Sequence, residues 1–126
     1  MGKPVNSDVK RAETFPLRTK VNKEVIDNFK GYCSYYGYPM NIMIETFMIQ
    51  YSNGKFNIDD CDISKWENDK AELDTLSTTF NKDVYTNFKN TCKANGYYVK
   101  HVLTSFMEKF STGNFVLEYV DVSKEN

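Results

Sequence analysis

Residues 17–29 read LRTKVNKEVIDNF, and 59 positions later residues 76–88 read LSTTFNKDVYTNF. Extended without a gap, this match aligns residues 14–58 with residues 73–117, and 16 of the 45 aligned pairs are identical. Self-similarity at a fixed spacing is typical of a duplicated structural unit. We therefore expect the chain of 126 residues to contain two copies of one unit.

Each copy begins with the two-residue period of a half-buried strand. Apolar or β-branched residues occupy every second position of residues 15–21, and residues 74–80 keep the same parity. Asn22 and Asn81 follow at the position of a helix N-cap, where a side-chain oxygen accepts a hydrogen bond from a free amide of the first turn. The pattern predicts that each strand leads directly into a helix.

Two helices are predicted after each strand. The first carries apolar residues at four-residue intervals on one face and ends at Gly37 or Gly96, because a left-handed C-cap position favours glycine. The second begins near Met40 and, in the other copy, near Val99. The residues predicted to face the core are Val25, Phe29, Cys33, Met40, Ile44, Phe47, Met48 and Tyr51 in the first copy, and Val84, Phe88, Cys92, Val99, Leu103, Phe106, Met107 and Phe110 in the second.

One strand and two helices are near the lower size limit for independent folding, and a lone strand leaves its backbone amides and carbonyls unpaired. Both problems disappear if the two strands pair antiparallel within one chain and the four helices pack under one face. We therefore predict a mainly α fold with a small antiparallel ribbon, in which strand-helix-helix occurs twice. The apolar residues that alternate after the second helices predict a short extra strand at the end of each copy, which either mediates assembly or covers the core. These residues are Phe56, Ile58, Phe115, Leu117 and Tyr119.

Composition and residue types argue against several functional classes. The chain is 40% hydrophobic and 26% charged, as in an ordinary globular protein. No stretch approaches the roughly 20 apolar residues that span a bilayer, and no apolar run of the signal-peptide kind lies near the N-terminus, so we expect a cytoplasmic protein without membrane contact. Because His101 is the single histidine and the three cysteines have no ligand spacing, we expect reduced thiols, no metal, no cofactor and no enzymatic activity.

The alternating strand, polar cap, first helix, Gly-x-x-x and second amphipathic helix together resemble the ribbon-helix-helix family of DNA-binding proteins. In that family the strand commonly reads apolar-polar-apolar-basic-apolar before Pro-Glu-Glu-Leu, and here residues 17–21 read LRTKV before NKEV. The resemblance covers both copies, which make up 90 of the 126 residues. It implies a tandem ribbon-helix-helix protein, a pseudo-dimer formed within one chain.

The resemblance further implies binding to double-stranded DNA, with the two-stranded ribbon inserted in the major groove. By strand parity, the side chains expected to contact bases are those of Arg18, Lys20, Thr75, Ser77 and Thr79. Family proteins also rest the N-terminus of the second helix on a phosphate, where free amides and the helix dipole attract an anion. The matching residues are Met40, Asn41, Val99 and Lys100, with Lys10 and Arg11 as further phosphate contacts. Neither copy has the family's usual Ser or Thr at this cap.

The net charge of −1 and the pI of about 5.8 are unlike the basic values usual for DNA-binding domains. The N-terminal arm (residues 1–13), which we expect to be flexible, carries +1, and each repeat (residues 14–58 and 73–117) carries +2. The acidic linker (residues 59–72) carries −4 and the acidic tail (residues 118–126) carries −2. We expect both acidic segments to be solvated spacers. The alternative is that they keep the protein off nonspecific DNA or bind a basic partner.

Two aromatic features have competing interpretations. Trp66, in the linker, is expected to dock on the helices, and the alternative is an exposed contact for a partner. The tyrosine cluster consists of Tyr32, Tyr35, Tyr36 and Tyr38, with Tyr97 and Tyr98 in the second copy. Tyr32 and Tyr36 are expected to pack near the junction of the helices, and the alternative is that the cluster stacks on single-stranded bases.

The function that follows is sequence-specific duplex DNA binding by a regulator or by an accessory factor in plasmid or mobile-element DNA processing, such as conjugation, partition or copy control. The expected partners are double-stranded DNA and a relaxase or another DNA-processing protein, with the monomeric pseudo-dimer able to assemble further on DNA. The alternative hypothesis is a non-catalytic protein-interaction module that keeps the scaffold and has lost DNA binding. In that case the polar residues of the ribbon are merely solvated.

Overall fold

The computed structural model describes residues 13–61, 63–66 and 71–117. The described chain is mainly helical, with one two-stranded antiparallel sheet and four α-helices, as the sequence predicts. In chain order the elements are strand β1 (Thr14–Asn22), helices α1 (Lys23–Tyr36) and α2 (Met40–Ser52), two 3₁₀ turns (Ile58–Asp60 and Ile63–Lys65), strand β2 (Leu73–Asn81), and helices α3 (Lys82–Ala94) and α4 (Val99–Ser111). None of the described helices is long and apolar enough to cross a membrane.

β1 and β2 pair antiparallel along their whole length, which confirms the predicted pairing within one chain. On one face of the sheet Arg18 lies opposite Ser77, Lys20 lies opposite Thr75, and Pro16 lies opposite Thr79. The repeat shift of 59 residues also maps Arg18 onto Ser77. An approximate two-fold axis that relates the two strands therefore passes through this central pair.

The predicted side-chain caps are present at the start of α1 and α3. Asn22 Oδ1 accepts a hydrogen bond from the Val25 N–H at 3.1 Å. Asn81 Oδ1 accepts the matching bond from the Val84 N–H at 3.0 Å. α1 is followed, as predicted, by Gly37, whose φ of 75° lies in the left-handed region that glycine adopts without strain. α3 stops one residue short of the matching position.

Every residue predicted to face the core is buried or partly buried. Phe47 and Phe106 match under the repeat shift and stack on each other, with ring centroids 4.2 Å apart. α1 packs mainly against α4, and α2 packs mainly against α3. Each first helix is therefore covered by the second helix of the other copy, so neither copy buries its apolar face alone.

The residues after α2 and α4 cover the core and form no strand in the described chain, so the prediction of short extra strands is wrong. Phe56 and Phe115 meet edge to face with ring centroids 4.9 Å apart. Both rings also contact Phe47, at 5.0 and 6.3 Å. Burying these rings on the core needs no hydrogen-bonding partner, which an extra strand would require. Tyr119 lies outside the described residues.

Trp66 is the described linker residue that packs on the helices through its ring, whereas Asp59, Ile63 and Glu72 of the linker are exposed. The Trp66 ring stacks on His101, with centroids 4.6 Å and planes 8° apart. Its indole N–H donates a 2.7 Å hydrogen bond to Ser105 Oγ. Ile58 is buried where the same segment leaves α2. Trp66 therefore docks on α4, as expected, and covers polar side chains of that helix.

Candidate nucleic-acid interface

One face of the sheet points away from the helices and carries the residues predicted to contact bases. Leu17, Val21, Leu76 and Phe80 point the other way and are buried beneath the sheet. The outward residues, which we call the ribbon row, are Pro16, Arg18, Lys20, Thr75, Ser77 and Thr79. All are exposed except Thr75, which is partly buried. The predicted parity is therefore confirmed for both strands.

The ribbon row carries two cations, three hydroxyls and no carboxylate. The Arg18 guanidinium has donors with the spacing to bind guanine O6 and N7, and the Lys20 ammonium can donate to the same atoms. The Ser and Thr hydroxyls both donate and accept hydrogen bonds. The acidic residue of β2, Asp74, has the opposite parity, and its Oδ1 accepts a 2.8 Å hydrogen bond from the Thr75 N–H. The row therefore suits a partner rich in hydrogen-bond acceptors.

The residues of the ribbon row break the two-fold relation between the strands. Lys20 matches Thr79 under the repeat shift, so a cation on one strand has a neutral counterpart on the other. On the axis itself Arg18 lies opposite Ser77. All the charge of the row lies on β1, and the two sides of the axis differ in chemistry.

The N-termini of α2 and α4 lack the side-chain caps that α1 and α3 have. Pro39 and Tyr98 occupy the cap positions and make no side-chain hydrogen bond to the first turn, which contains no acidic residue in either helix. The main-chain amides and the positive end of the dipole can therefore accept an anion. Of the predicted phosphate contacts here, Asn41 is exposed and Met40, Val99 and Lys100 are partly buried. Lys10 and Arg11 lie outside the described residues, and their contacts stay predictions.

The start of α4 faces β1 across a shallow groove. The residues that line this groove are Leu17, Arg18, Thr19, Tyr85, Tyr98, Val99 and Lys100. The structure thus brings Arg18, predicted to contact bases, and Lys100, predicted to contact phosphate, onto one surface. In the other copy the repeat shift places Ser77 and Asn41 at these two positions, and neither carries charge.

Tyr85 lines the groove but is not among the residues that the sequence pattern predicts. Its ring stacks on Phe15 with centroids 4.2 Å apart, and burial raises the pKa of its hydroxyl group above the ordinary value. The apolar residues of α3 recur at four-residue intervals, and this spacing predicts that the neighbouring Val84, and not Tyr85, faces the core. The available signal was the match of Tyr85 to the apolar Ile26 in the first copy.

The tyrosine cluster has a packed part and an exposed part. Tyr32 is partly buried and contacts Phe110 with ring centroids 5.1 Å apart, as predicted. Tyr36 contacts Tyr32 at 4.8 Å and stacks on Tyr38 at 5.6 Å, yet it stays exposed. Tyr35 is 81% exposed. Only Tyr32 is therefore enclosed at the junction of the helices.

The thiols of α1 and α3 are structural. Cys33 and Cys92 are free and buried, and burial raises their pKa values to about 11 and about 12. Both are therefore protonated at neutral pH and weakly nucleophilic. Within the part of the chain that the structure describes, no three His, Cys, Asp or Glu side chains are placed to hold a metal ion.

The features that can bind a polyanion are thus the ribbon row, the groove beside it and two uncapped helix N-termini. Their donors are the side chains of Arg18, Lys20 and Lys100 together with main-chain amides. Comparison of the chain with protein-family models, with curated proteins and with solved structures finds no significant match.

Proposed function

We propose that this chain is a tandem ribbon-helix-helix protein, a single-chain pseudo-dimer that binds duplex DNA sequence-specifically. The observation that carries the proposal is the ribbon row. Two strands of one chain form an isolated antiparallel ribbon whose outward face presents Arg18 and Lys20 and no carboxylate. A two-stranded ribbon of this kind fits the major groove of B-DNA, which is about 12 Å wide.

The groove and the helix N-termini support the same proposal. A ribbon in the major groove is flanked by phosphates on both sides, and the start of α4 lies beside the ribbon across the groove that Arg18 and Lys100 share. Lys100 and the amides of the uncapped first turn supply phosphate contacts there. The uncapped start of α2 offers the same amides without a lysine.

The biological role we propose is that of a regulator or of an accessory factor in plasmid or mobile-element DNA processing, acting in the cytoplasm. A homodimer built on a two-fold axis reads a palindrome, whereas two fused copies with different ribbon residues are free to read unlike half-sites. Such asymmetric sites suit DNA processing with a relaxase or a related enzyme as partner.

A non-catalytic protein-interaction module is the second candidate. The observations that favour it are the net charge of −1 and the exposed aromatic rings, of which Tyr35 and Tyr98 are 81% and 70% exposed. Aromatic side chains are enriched in protein interfaces. Under this alternative, removing the cations of the ribbon row would leave partner binding unchanged.

The test is DNA binding by the double variant Arg18→Ala, Lys20→Ala. The native protein first selects a duplex from a pool of random sequences. The affinity of the native protein and of the double variant for that duplex is then measured at one fixed salt concentration. We expect each substitution to cost about 1–3 kcal/mol of specific binding free energy.

The matched control is Lys30→Ala, Lys89→Ala, which removes two exposed cations from α1 and α3 and should bind nearly as the native protein does. Undiminished affinity and selectivity in the ribbon variant would show that the ribbon does not read DNA. Failure of the native protein to select any duplex would favour the interaction module.

A further inference from the structure

Tyr98 is an exposed aromatic residue that lines two grooves. Its side chain is 70% exposed. It shares one groove with Arg18 and Lys100, and it shares a second groove, between α3 and the start of α4, with Lys89 and Lys93. No described residue that lines either groove is acidic. Four cations are therefore grouped around one exposed ring.

The two lysines of the second groove are open to an anionic ligand. Lys89 and Lys93 lie one turn apart on α3, and both are exposed. Neither forms an ion pair within the described part of the chain. Asp59 Oδ1 accepts a 3.5 Å hydrogen bond from the hydroxyl of Tyr97, another residue of this groove, but Asp59 is not among the residues that line it. The groove thus offers two ammonium groups to a polyanion.

Ring contacts hold Tyr98 in position although it is exposed. Tyr98 meets His101 edge to face, with ring centroids 5.3 Å apart. His101 is buried and stacks on Trp66 at 4.6 Å, and the Trp66 indole N–H is bonded to Ser105 Oγ. A side chain that is positioned in advance loses less conformational entropy when a ligand binds to it. Tyr98 is therefore a preorganised surface for a second flat ring.

The first copy has no equivalent of this arrangement. Under the repeat shift Tyr98 matches Pro39, which occupies the same cap position at the start of α2. Only one of the four cations has a charged counterpart. The counterparts of Lys89, Lys93, Lys100 and Arg18 are Lys30, Ser34, Asn41 and Ser77. Because the same unit folds in both copies, neither the exposed ring nor the grouped charge is a requirement of the fold.

We propose that the second copy binds a single-stranded segment of nucleic acid on a platform that consists of Tyr98, Lys89, Lys93 and Lys100. One unpaired base stacks on the Tyr98 ring, and the neighbouring phosphates contact the three lysines. A duplex presents only base edges in its grooves, whereas an unpaired base also presents its face. Basic grooves that carry exposed aromatic rings are typical of single-strand binding.

The ring favours a nucleic acid over an acidic protein segment. A peptide rich in carboxylates would meet the same lysines. The face of an aromatic ring carries partial negative charge, so Tyr98 disfavours a carboxylate above it and favours a flat base. The proposal does not rest on duplex binding by the ribbon row, because it uses base faces and a different set of lysines.

The test measures the affinity of the native full chain for an oligothymidylate of about 12 nucleotides at fixed salt. An abasic oligomer of the same length keeps the phosphates and removes the rings. We expect the native protein to bind the oligothymidylate about tenfold more tightly than the abasic oligomer. Tyr98→Ala should bind both oligomers alike. Tyr98→Phe should restore the preference, because the ring and not the hydroxyl stacks on the base.

The lysines are tested by the double variant Lys89→Ala, Lys93→Ala. It should weaken binding of both oligomers and lower the slope of log affinity against log salt by about 1. The matched control is Lys30→Ala, Tyr35→Ala, which removes an exposed cation and an exposed ring from the first copy and should bind the oligothymidylate as the native protein does.

Three results would overturn the proposal. They are equal native affinity for the two oligomers, unchanged oligothymidylate affinity in Tyr98→Ala, and poly-glutamate of the same charge binding as tightly as the oligothymidylate, which would assign the surface to an acidic protein. An oligouridylate of the same length shows whether DNA or RNA is bound more tightly, and a preference of either over the abasic oligomer supports the proposal. Loss of this binding with duplex selection intact would remove the platform alone, and the reverse result would remove only the function proposed for the ribbon row.

Discussion

Phe47 and Phe106 occupy one position of the repeat and stack on each other with their ring planes 13° apart. A contact between counterparts can form only where the two copies meet, so these rings lie at the joint centre of the core. Phe29 reaches the same centre and contacts Phe106 at 5.6 Å and Phe110 at 5.9 Å. The aromatic cluster at the centre of the core is therefore built from residues of both copies.

Truncation of Phe29 tests this view of the core. Phe29 is fully buried, so Phe29→Ala should lower the free energy of unfolding by about 3–5 kcal/mol through lost transfer energy and a cavity. Phe88→Ala should have a similar effect because Phe88 is its counterpart. Denaturant unfolding measures the change. Tyr35→Ala, at an exposed position, is the control, and equal stability of Phe29→Ala and the native protein would show that the assigned helix phase is wrong.

At the scale of elements, two pairs of helices begin in different ways. α1 and α3 each begin with an asparagine that closes the first turn with its own side chain. α2 and α4 begin without such a bond. An asparagine side chain thus caps the first turn in α1 and α3. The first turns of α2 and α4 have no side-chain cap, and their main-chain amides lie where we propose phosphate contacts.

Replacement of the caps tests the first half of this distinction. Asn22→Ala and Asn81→Ala should each lower the free energy of unfolding by about 1 kcal/mol, because an amide of the first turn loses its acceptor. Thermal or denaturant unfolding gives the values. Asn22→Asp keeps a side-chain oxygen and should retain most of the stability. A loss as large in the aspartate variant as in the alanine variant would contradict the capping role.

At the scale of the whole molecule, an approximately symmetric scaffold carries an asymmetric surface. Arg18 lies on the axis opposite Ser77, Lys20 lies on one side of it, and Lys100 lies at the start of only one of two equivalent helices. Under the proposed function, the scaffold would set the position of the DNA, and the unequal residues would set how the two halves of a site are read.

This asymmetry predicts unequal effects on DNA binding. Lys20→Ala should relax selectivity over one half of the target, and Arg18→Ala should relax it near the centre, whereas Ser77→Ala and Thr79→Ala should cost less. Lys100→Ala should weaken all sequences alike and lower the slope of log affinity against log salt by about 1.

Binding to a panel of singly mutated duplexes, repeated over a salt series, separates these effects. A palindromic preference in the native protein, or a sequence-selective effect of Lys100→Ala, would contradict the assignment.

Much of the fold could be predicted because its signals are local. The parity of β1 and β2, the caps at Asn22 and Asn81 and the apolar face of each helix all arise from residues a few positions apart. The duplication strengthened each signal, since a pattern that occurs twice in register is rarely accidental. The ribbon row followed from parity alone.

The sequence by itself thus determined the two strands and four α-helices, their order and the side of each that is apolar. The tertiary structure alone decided the strand register that places Arg18 opposite Ser77, the packing of α1 on α4, the docking of Trp66 on Ser105 and the groove shared by Arg18 and Lys100. The physical reason is range. Helix hydrogen bonds, helix caps and side-chain periodicity involve residues a few positions apart, whereas these contacts join segments that only the packing of the complete chain brings together.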